Sequence, residues 1–300
     1  MKIESMHDFP SRIRNDKIAA MVYKVNKLLV NLVYPRTVKC DYGLDEKSNV
    51  IVSLTSFPAR IDTVWITIAS LLNQTVKPKA VILWLAEDQF PNGETDLPEK
   101  LLSLKKYGLS IRFCDNLYPH KKYYFTMQEN PDANVITADD DVFYPEYLVE
   151  ELVSTSMKNP GAVCCTWAHE MRLDDSGGVR PYHEWRQCIK DGQTPSLRIM
   201  PVGCGGVLYP PRCLDETVYN QNAIRELCLR TDDLWLKAMA LKKGTPAVQV
   251  EHTGKIFFTI MNTQESGLHH VNVGSNRNDV SLSKILESFP EVVETLTNMS

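Results

Sequence analysis

Three consecutive carboxylates, Asp139, Asp140 and Asp141, close the apolar run Asn134-Val-Ile-Thr-Ala138 and precede Val142-Phe143-Tyr144-Pro145. Adjacent anions repel, so such a run needs a compensating cation or full solvation. The apolar residues on either side argue against a merely solvated acidic loop. Hard divalent ions take oxygen ligands, often one or two carboxylates completed by phosphate oxygens. An Asp-x-Asp at the end of a strand supplies such a half-shell.

A second cluster combines Pro201-Val-Gly-Cys-Gly-Gly-Val-Leu-Tyr-Pro210 with Leu229-Arg-Thr-Asp-Asp-Leu-Trp-Leu236. Gly205 and Gly206, with Gly203, either let a ligand approach the backbone closely or form a tight turn into a strand. Asp232 and Asp233 open an apolar helical pattern, where an aspartate is an ordinary cap. Between the clusters, His120-Lys121-Lys122-Tyr123-Tyr124 starts another helical pattern. A lysine is a point charge suited to phosphate. The alternative is a solvated basic face with the tyrosines packed inward. Trp167 and Trp185 could stack on a ligand or pack in the core.

The elements that must position these groups follow from periodicity. Val50–Thr55, Lys79–Leu85, Ser110–Cys114 and Asn134–Ala138 read as short buried strands. Helical spacing fills the intervals Asp62–Gln74, with Asp62 as a candidate cap, Pro98–Tyr107 and Lys121–Asn130. Further on, the pattern predicts a helix over Glu146–Met157, strands near Ala162–Trp167 and Gly206–Tyr209, and a helix over Asp232–Lys242. Alternating strands and helices predict an α/β fold, a mostly parallel open sheet with helices on both faces. Ligands bind such sheets beyond the carboxyl ends of the strands, so Thr55, Ser56 and the three aspartates are expected around one crevice.

The 300 residues carry a formal charge of −4, with 43% hydrophobic and 23% charged residues, and give no reason to expect nucleic acid as a partner. The eight cysteines form no C-x-x-C pair, and several lie in apolar runs, the usage of free thiols in a reduced compartment. A cytoplasmic chain is the expectation, since Met1–Arg14 does not read as a signal peptide and no run is long enough to span a bilayer. Residues 1–40 differ from the rest: eight Lys/Arg against three Asp/Glu give +5 locally. Within them, residues 17–34 read as a basic helix with an apolar face. Such a helix either lies peripherally on an anionic membrane surface, at the inner face of the cell membrane, or packs on the domain that follows.

The ordered set Val-Ser-Leu-Thr-Ser-Phe-Pro, Thr-Ile-Ala-Ser-Leu-Leu-Asn-Gln-Thr and Ala-Asp-Asp-Asp resembles the nucleotide-binding half of GT-A glycosyltransferases. The likeness is to family-2-like bacterial enzymes of surface polysaccharide synthesis, and it covers roughly Asn49 to Lys243. The organisation of the chain predicts a helical N-terminal extension (1–45), and the resemblance implies that a GT-A domain follows it, with a nucleotide-binding half (46–145) and an acceptor-binding half (146–300). It implies a sugar transfer from a nucleotide-sugar donor, UDP-linked for preference, to a hydroxyl of a glycan or lipid-linked acceptor.

By the same resemblance, Asp139 and Asp141 hold Mn2+ or Mg2+, with His252 as a candidate third ligand ahead of His270. The donor contacts are Thr55, Ser56, Arg60, Asp115, Lys121, Lys122, Asp139, Asp140, Gly205 and Gly206. An inverting transfer needs a carboxylate to take the acceptor proton, and Asp233, or else Asp232, matches that position. Glu87 and Asp88 depart from the family's usual acidic pair after the second strand, which leaves the base contact open and Asp115 as a substitute. Two rivals are a nucleotidyltransferase on a related fold, whose Gly-rich phosphate loop Thr55–Arg60 matches poorly, and a non-catalytic carbohydrate-binding relative. An Asp-x-Asp phosphatase would want Gly-Thr where Val142-Phe143 stands.

Overall fold

The structure, a computed structural model, describes residues 16–37, 42–251, 257–261, 263 and 277–297. The four strands expected from the apolar runs form as β1 (Val50–Thr55), β2 (Ala80–Ala86), β3 (Leu109–Cys114) and β4 (Asn134–Ala138). Three further strands complete the sheet: β5 (Val163–Cys165), β8 (Val207–Tyr209) and β9 (Ala247–Gln249). Strands β6 (Ala168–Glu170) and β7 (Ile199–Pro201) pair separately as a two-stranded ribbon. The seven-stranded order is β3-β2-β1-β4-β8-β5-β9. Its pairs are parallel except at β8, which runs antiparallel to both neighbours, β4 and β5.

Side chains alternate across this sheet as strand geometry demands. Val50, Val52 and Leu54 of β1, with Ile136 and Ala138 of β4, pack under helices α2 (Val64–Leu72), α3 (Glu99–Leu102) and α5 (Leu148–Lys158). On the opposite face, Val135, Val163, Val207 and Ala247 meet α4 (Lys121–Glu129) and α7 (Asp232–Lys243). Helices α8 (Arg277–Ser288) and α9 (Glu291–Thr297) join that second layer through Leu282, Ile285, Val292 and Leu296. The mostly parallel sheet with helices on both faces is therefore present. Burial of each large aliphatic side chain contributes roughly 1.5–3 kcal/mol, which makes these two layers the source of the site's rigidity.

Local differences from the sequence reading have physical causes. Helix α2 starts two residues later than Asp62, with Thr63 at its N-cap and no side-chain cap bond. The Pro98–Tyr107 segment divides into α3 and a 3-10 turn, Ser103–Tyr107. Helix α6 (Gln221–Ala223) runs directly into a π-turn, Ile224–Cys228. The seven cysteines among the described residues are all unbridged.

The N-terminal helix α1 (Asp16–Thr37) packs on the domain by one face. Val30 is fully buried, Tyr23 stacks on Phe258 at 5.3 Å, and Tyr34 meets Phe143 edge-on at 5.3 Å. Lys27 Nζ donates to Thr259 Oγ1 at 2.6 Å, and Asn31 both donates to the Thr259 carbonyl and accepts from the Met261 N–H. The other face leaves Ile18, Met21, Val25, Leu28, Leu29 and Leu32 exposed. No helix among the described residues is long and apolar enough to cross a membrane.

Candidate active site

The chain proceeds from β1 outward to β2 and β3, then returns to β4 on the other side of β1, so the carboxyl ends of β1 and β4 flank a switch point. The register pairs Leu54 with Ala138, which sets the residues after each strand side by side. Ser56 Oγ donates to Asp140 Oδ2 at 2.6 Å. Arg60, on the 3-10 turn Pro58–Arg60, donates from Nη1 to Asp140 Oδ1 at 2.5 Å. Its Nη2 lies 3.2 Å from Asp141 Oδ2 and donates to the Thr263 carbonyl at 3.0 Å. Thr263 Oγ1 reaches Asp141 Oδ2 at 3.5 Å. Burial alone would lower the Arg60 pKa, but the charges of Asp140 and Asp141 override it and hold the guanidinium above its ordinary value. Burial pushes the Asp140 carboxyl up, opposed by Arg60 and Ser56.

Asp139 has different surroundings. Its side chain is 33% exposed, against 6% for Asp140 and 10% for Asp141. Lys122 Nζ, at the start of α4, lies 2.8 Å from Asp139 Oδ1 and 2.9 Å from Asp232 Oδ2 at the start of α7. One buried ammonium thus ties together the two acidic clusters that lie about ninety positions apart in the chain. Burial alone would depress Lys122, yet Asp139, Asp232 and Asp233 together keep it well above its ordinary value and charged.

The paired aspartates of α7 are pushed apart. Burial would raise Asp232, but Lys122 and the proximity of His120 hold its carboxyl below the ordinary value. Asp233 is raised by burial and then by the charge of Asp232. The two neighbouring acids thus have opposed shifts, one held charged and the other more easily protonated. Asp233 Oδ2 accepts the Gly203 N–H at 3.0 Å. A Cβ on Gly203 would lie 2.6 Å from Asp233 Oδ1 and 3.2 Å from Lys122 Nζ, so the close approach requires glycine here. Gly206 adopts φ +90° as the loop turns into β8, again a glycine conformation. The Gly205 carbonyl accepts the Thr166 hydroxyl at 2.7 Å. Tyr144 OH accepts the Asp139 N–H at 2.9 Å and donates to the Cys204 carbonyl at 3.1 Å, joining the acidic loop to the glycine loop.

Other expected residues lie further out. Thr55 Oγ1 donates to the Trp84 carbonyl at 2.8 Å and so ties β1 to β2. Lys121 turns away from Lys122: its Nζ is 3.4 Å from Asn116 Oδ1, and burial lowers its pKa. Asn116 Nδ2 in turn donates to Asp88 at 3.2 Å, while Asp88, Glu87 and Asp115 are exposed at the ends of β2 and β3. His120 is fully buried. Its Nε2 lies 3.0 Å from the Cys228 carbonyl, which can only accept, so that nitrogen carries the proton and Nδ1 accepts from Tyr123 OH at 2.9 Å. Burial holds it at about 4, a neutral prop beneath α4.

Trp185 is buried, with Nε1 donating to the Arg180 carbonyl at 2.8 Å, whereas Trp167 is half-buried and stacks on Phe257 at 6.2 Å. His252, His269 and His270 lie outside the described residues. Tyr144, Thr166 and Thr263 escaped the sequence reading. Only Tyr144 carried a signal, as an aromatic residue three positions beyond an acidic triplet.

For a metal, the donor set is all-oxygen. Each of the three carboxylates already meets a partner: Asp139 meets Lys122, Asp140 meets Ser56 and Arg60, and Asp141 meets Arg60 and Thr263. No group of three or more His, Cys, Asp or Glu able to hold a metal ion occurs among the described residues. Two carboxylates fit an ion whose remaining ligands come from phosphate and water.

No protein-family model matches the chain, and no curated protein matches it. Solved structures do. A mannosyltransferase from Pyrobaculum calidifontis, in complex with GDP-Man and Mn2+, superposes over 98% of this chain and 80% of its own, with a TM-score of 0.50 and 10% identity. A 4-diphosphocytidyl-2C-methyl-D-erythritol synthase aligns over 77% of this chain and 100% of its own, with a TM-score of 0.42 and 10% identity. A CMP:2-keto-3-deoxy-manno-octonic acid synthetase complexed with CTP aligns over 77% and 99%, with a TM-score of 0.43 and 10% identity. The likeness to the mannosyltransferase, together with the seven-stranded order, defines the fold as Rossmann-like of the GT-A type.

Proposed function

We propose that this chain is a glycosyltransferase that moves a sugar from a nucleotide-sugar donor, UDP-linked for preference, to a hydroxyl of a glycan or lipid-linked acceptor, with inversion. The observation that carries the reading is the Lys122 bridge. It ties a carboxylate suited to a metal–diphosphate, Asp139, to Asp232, whose neighbour on α7, Asp233, is an acid poised for proton transfer. The mannosyltransferase that shares the fold was solved with GDP-Man and Mn2+, a pairing that suits the Asp139–Asp141 donor set.

Asp139 and Asp141 would hold Mn2+ or Mg2+. When bound, such an ion supplies Lewis-acid neutralisation of the departing diphosphate. Lys122 adds a fixed positive charge beside Asp139, and Arg60 holds Asp140 and Asp141 in place. Asp233 takes the proton of the acceptor hydroxyl as that oxygen forms its bond to the sugar's anomeric carbon, whose bond to the diphosphate oxygen breaks. The Gly203 N–H orients Asp233 Oδ2 and leaves Oδ1 for the proton. A role in bacterial surface polysaccharide synthesis extends this reading.

The test is release of nucleoside diphosphate from a panel of UDP- and GDP-sugars, and of CMP from CMP-sugars, with Mn2+ or Mg2+ and with EDTA. Slow, EDTA-sensitive hydrolysis of one donor, lost in Asp141→Asn, supports the assignment. Turnover that persists in Asp141→Asn, or no donor turnover and no donor binding by calorimetry, refutes it.

The N-terminal helix fits a peripheral membrane contact as well as the packing already described. Its exposed apolar residues recur at Ile18, Met21, Val25, Leu28 and Leu32, flanked by exposed Lys17 and Lys24. An apolar stripe with basic flanks suits an anionic lipid surface. Sedimentation with anionic liposomes should drop in Val25→Asp/Leu28→Asp; equal sedimentation of the variant would remove the membrane reading.

A further inference from the structure

Away from the acidic loops, the acceptor-side half holds a cavity of about 460 Å3 in whose wall arginines dominate: Arg172, Arg180, Arg186 and Arg198, with Glu170 among them. Their convergence is built into the backbone. The Met171 N–H donates to the Arg198 carbonyl at 2.8 Å, and the Arg180 N–H donates to the Arg172 carbonyl at 2.9 Å. Glu170 and Arg186 exchange both of their backbone hydrogen bonds, at 2.8 and 3.1 Å. Three short chain segments, all within residues 170–198, are thus laddered so that each brings arginine to the same wall.

The four arginines divide into two kinds. Arg180 is braced by Glu184 at 3.0 Å and by the Leu173 carbonyl at 3.2 Å. Arg186 is braced by Glu170 at 2.6 Å and by both oxygens of Asp191 at 2.6 and 2.7 Å. Arg172 and Arg198 have no side-chain hydrogen bond or ion pair among the described residues. Two guanidinia without such a partner, Arg172 exposed and Arg198 half-buried, stand beside two braced ones, a concentration of donors that an incoming anion can join. The planar fork of arginine matches a carboxylate or a phosphate with paired hydrogen bonds.

The groove is connected to the candidate active site by a rigid path. The Val202 N–H donates to the Trp167 carbonyl at 2.9 Å, next to Gly203 and hence to Asp233. From there the paired strands β6 and β7 run directly to Glu170 and Ile199 at the groove. The four residue steps of extended chain from Trp167 to Met171 span roughly 13 Å. An acceptor whose reacting hydroxyl lies at Asp233 would reach the arginines with a portion further back along its own length.

We propose that this groove binds an oxyanion, a carboxylate or phosphate, carried by the acceptor at a distance from the reacting hydroxyl. The site would make the enzyme selective for acidic acceptors over neutral ones. It rests on the glycosyltransferase reading for its meaning, though not for its measurement, because binding is read without donor, metal or turnover.

The experiment is calorimetry on the full chain at low and moderate salt with three probes: an oligogalacturonate, inorganic phosphate, and a neutral malto-oligosaccharide of the same length as the first. The wild type is expected to bind at least one anionic probe more tightly than the neutral one. Arg172→Gln/Arg198→Gln is expected to weaken that binding about tenfold or more. Arg212→Gln, which removes an exposed arginine elsewhere, leaves it unchanged. Arg172→Lys/Arg198→Lys keeps the charge and loses the fork, and should recover only part of the affinity.

Preference for the oligogalacturonate identifies a uronate as the source, and preference for phosphate identifies a phosphoryl group. If the double variant fails to fold, the exposed Arg172→Gln alone reads the same loss. Equal binding of anionic and neutral probes, no binding of either anion, or unchanged affinity in the glutamine variants overturns the proposal and leaves donor turnover as a separate question.

Discussion

Replacing Lys237 with methionine should stabilise this protein, and by an amount that depends on pH. Lys237 lies one turn beyond Asp233 on α7, only 4% exposed, and its Nζ has no hydrogen-bond acceptor among the described residues. Burial lowers its ammonium from an ordinary 10.5 to about 7. A folded value below the unfolded one means that below pH 7 both states hold the proton and the native state bears the whole desolvation cost. Between about 7 and 10.5 the unfolded chain binds a proton that the native chain has lost, so stability rises with pH across that window. Above it the penalty is gone.

At about 1.4 kcal/mol per pH unit, the full window is worth on the order of 5 kcal/mol, reduced in practice by local relaxation. Methionine matches the lysine stem in size and needs no partner, so a gain of about 2–4 kcal/mol near pH 7.5 is expected. Each kcal/mol moves Tm by ~2–4 °C in domains of somewhat smaller size, so several degrees should be visible. Urea denaturation of wild type and Lys237→Met at pH 7, 8, 9 and 10 measures it. The gap should be largest at pH 7 and close towards pH 10. A variant no more stable than wild type at pH 7, or a gap indifferent to pH, refutes the reasoning.

Other outcomes follow from the site. Arg60→Ala leaves Asp140 and Asp141 buried without their cation and should cost about 3–5 kcal/mol in denaturant unfolding, with Arg60→Lys recovering only part because it cannot serve both carboxylates and Thr263 together. Asp233 must be ionised to accept a proton, and its raised pKa places the acid limb of the pH–rate profile above the usual carboxylate range. Activity should therefore rise with pH through that limb, while Asp233→Asn lowers turnover by about 10²–10⁴-fold and abolishes the limb. Gly203→Ala introduces a methyl 2.6 Å from Asp233 Oδ1 and should displace that group. A fall in kcat of about tenfold or more is expected, with donor KM little changed, since small misplacements of reacting groups are costly.

Much of the frame could be read from the chain. Val50–Thr55 and Asn134–Ala138 are apolar runs cut off by turn residues or acids, and both became central strands ending at the crevice. Strands β7 and β9, three residues each, went unread, and they exist because neighbouring strands supply their hydrogen bonds. Helices α8 and α9 bury only a few residues on an otherwise polar surface, so no apolar run announced them. The acidic triplet was visible as chemistry, but the partner of each aspartate was not. Which of Lys121 and Lys122 reaches Asp139 depends on how α7 docks more than a hundred residues later. Thr263 contributes a backbone carbonyl, which every residue type has, so no side-chain pattern could have announced it.

The segment 257–261 is clasped from both sides. On one side its backbone bonds the acidic loop, Phe143 to Phe258 at 2.9 Å and Ile260 to Asp141 at 2.8 Å. On the other, Lys27 and Asn31 of α1 grip Thr259 and Met261. The first helix is therefore a splint for the carboxylate loop, two contacts removed from Asp141. Trimming the N-terminus to improve expression, or fusing a bulky tag close to Tyr23, would loosen the loop without touching any aspartate. A truncated protein that loses activity in free solution, with no lipid present, would be reporting on the splint rather than on a membrane.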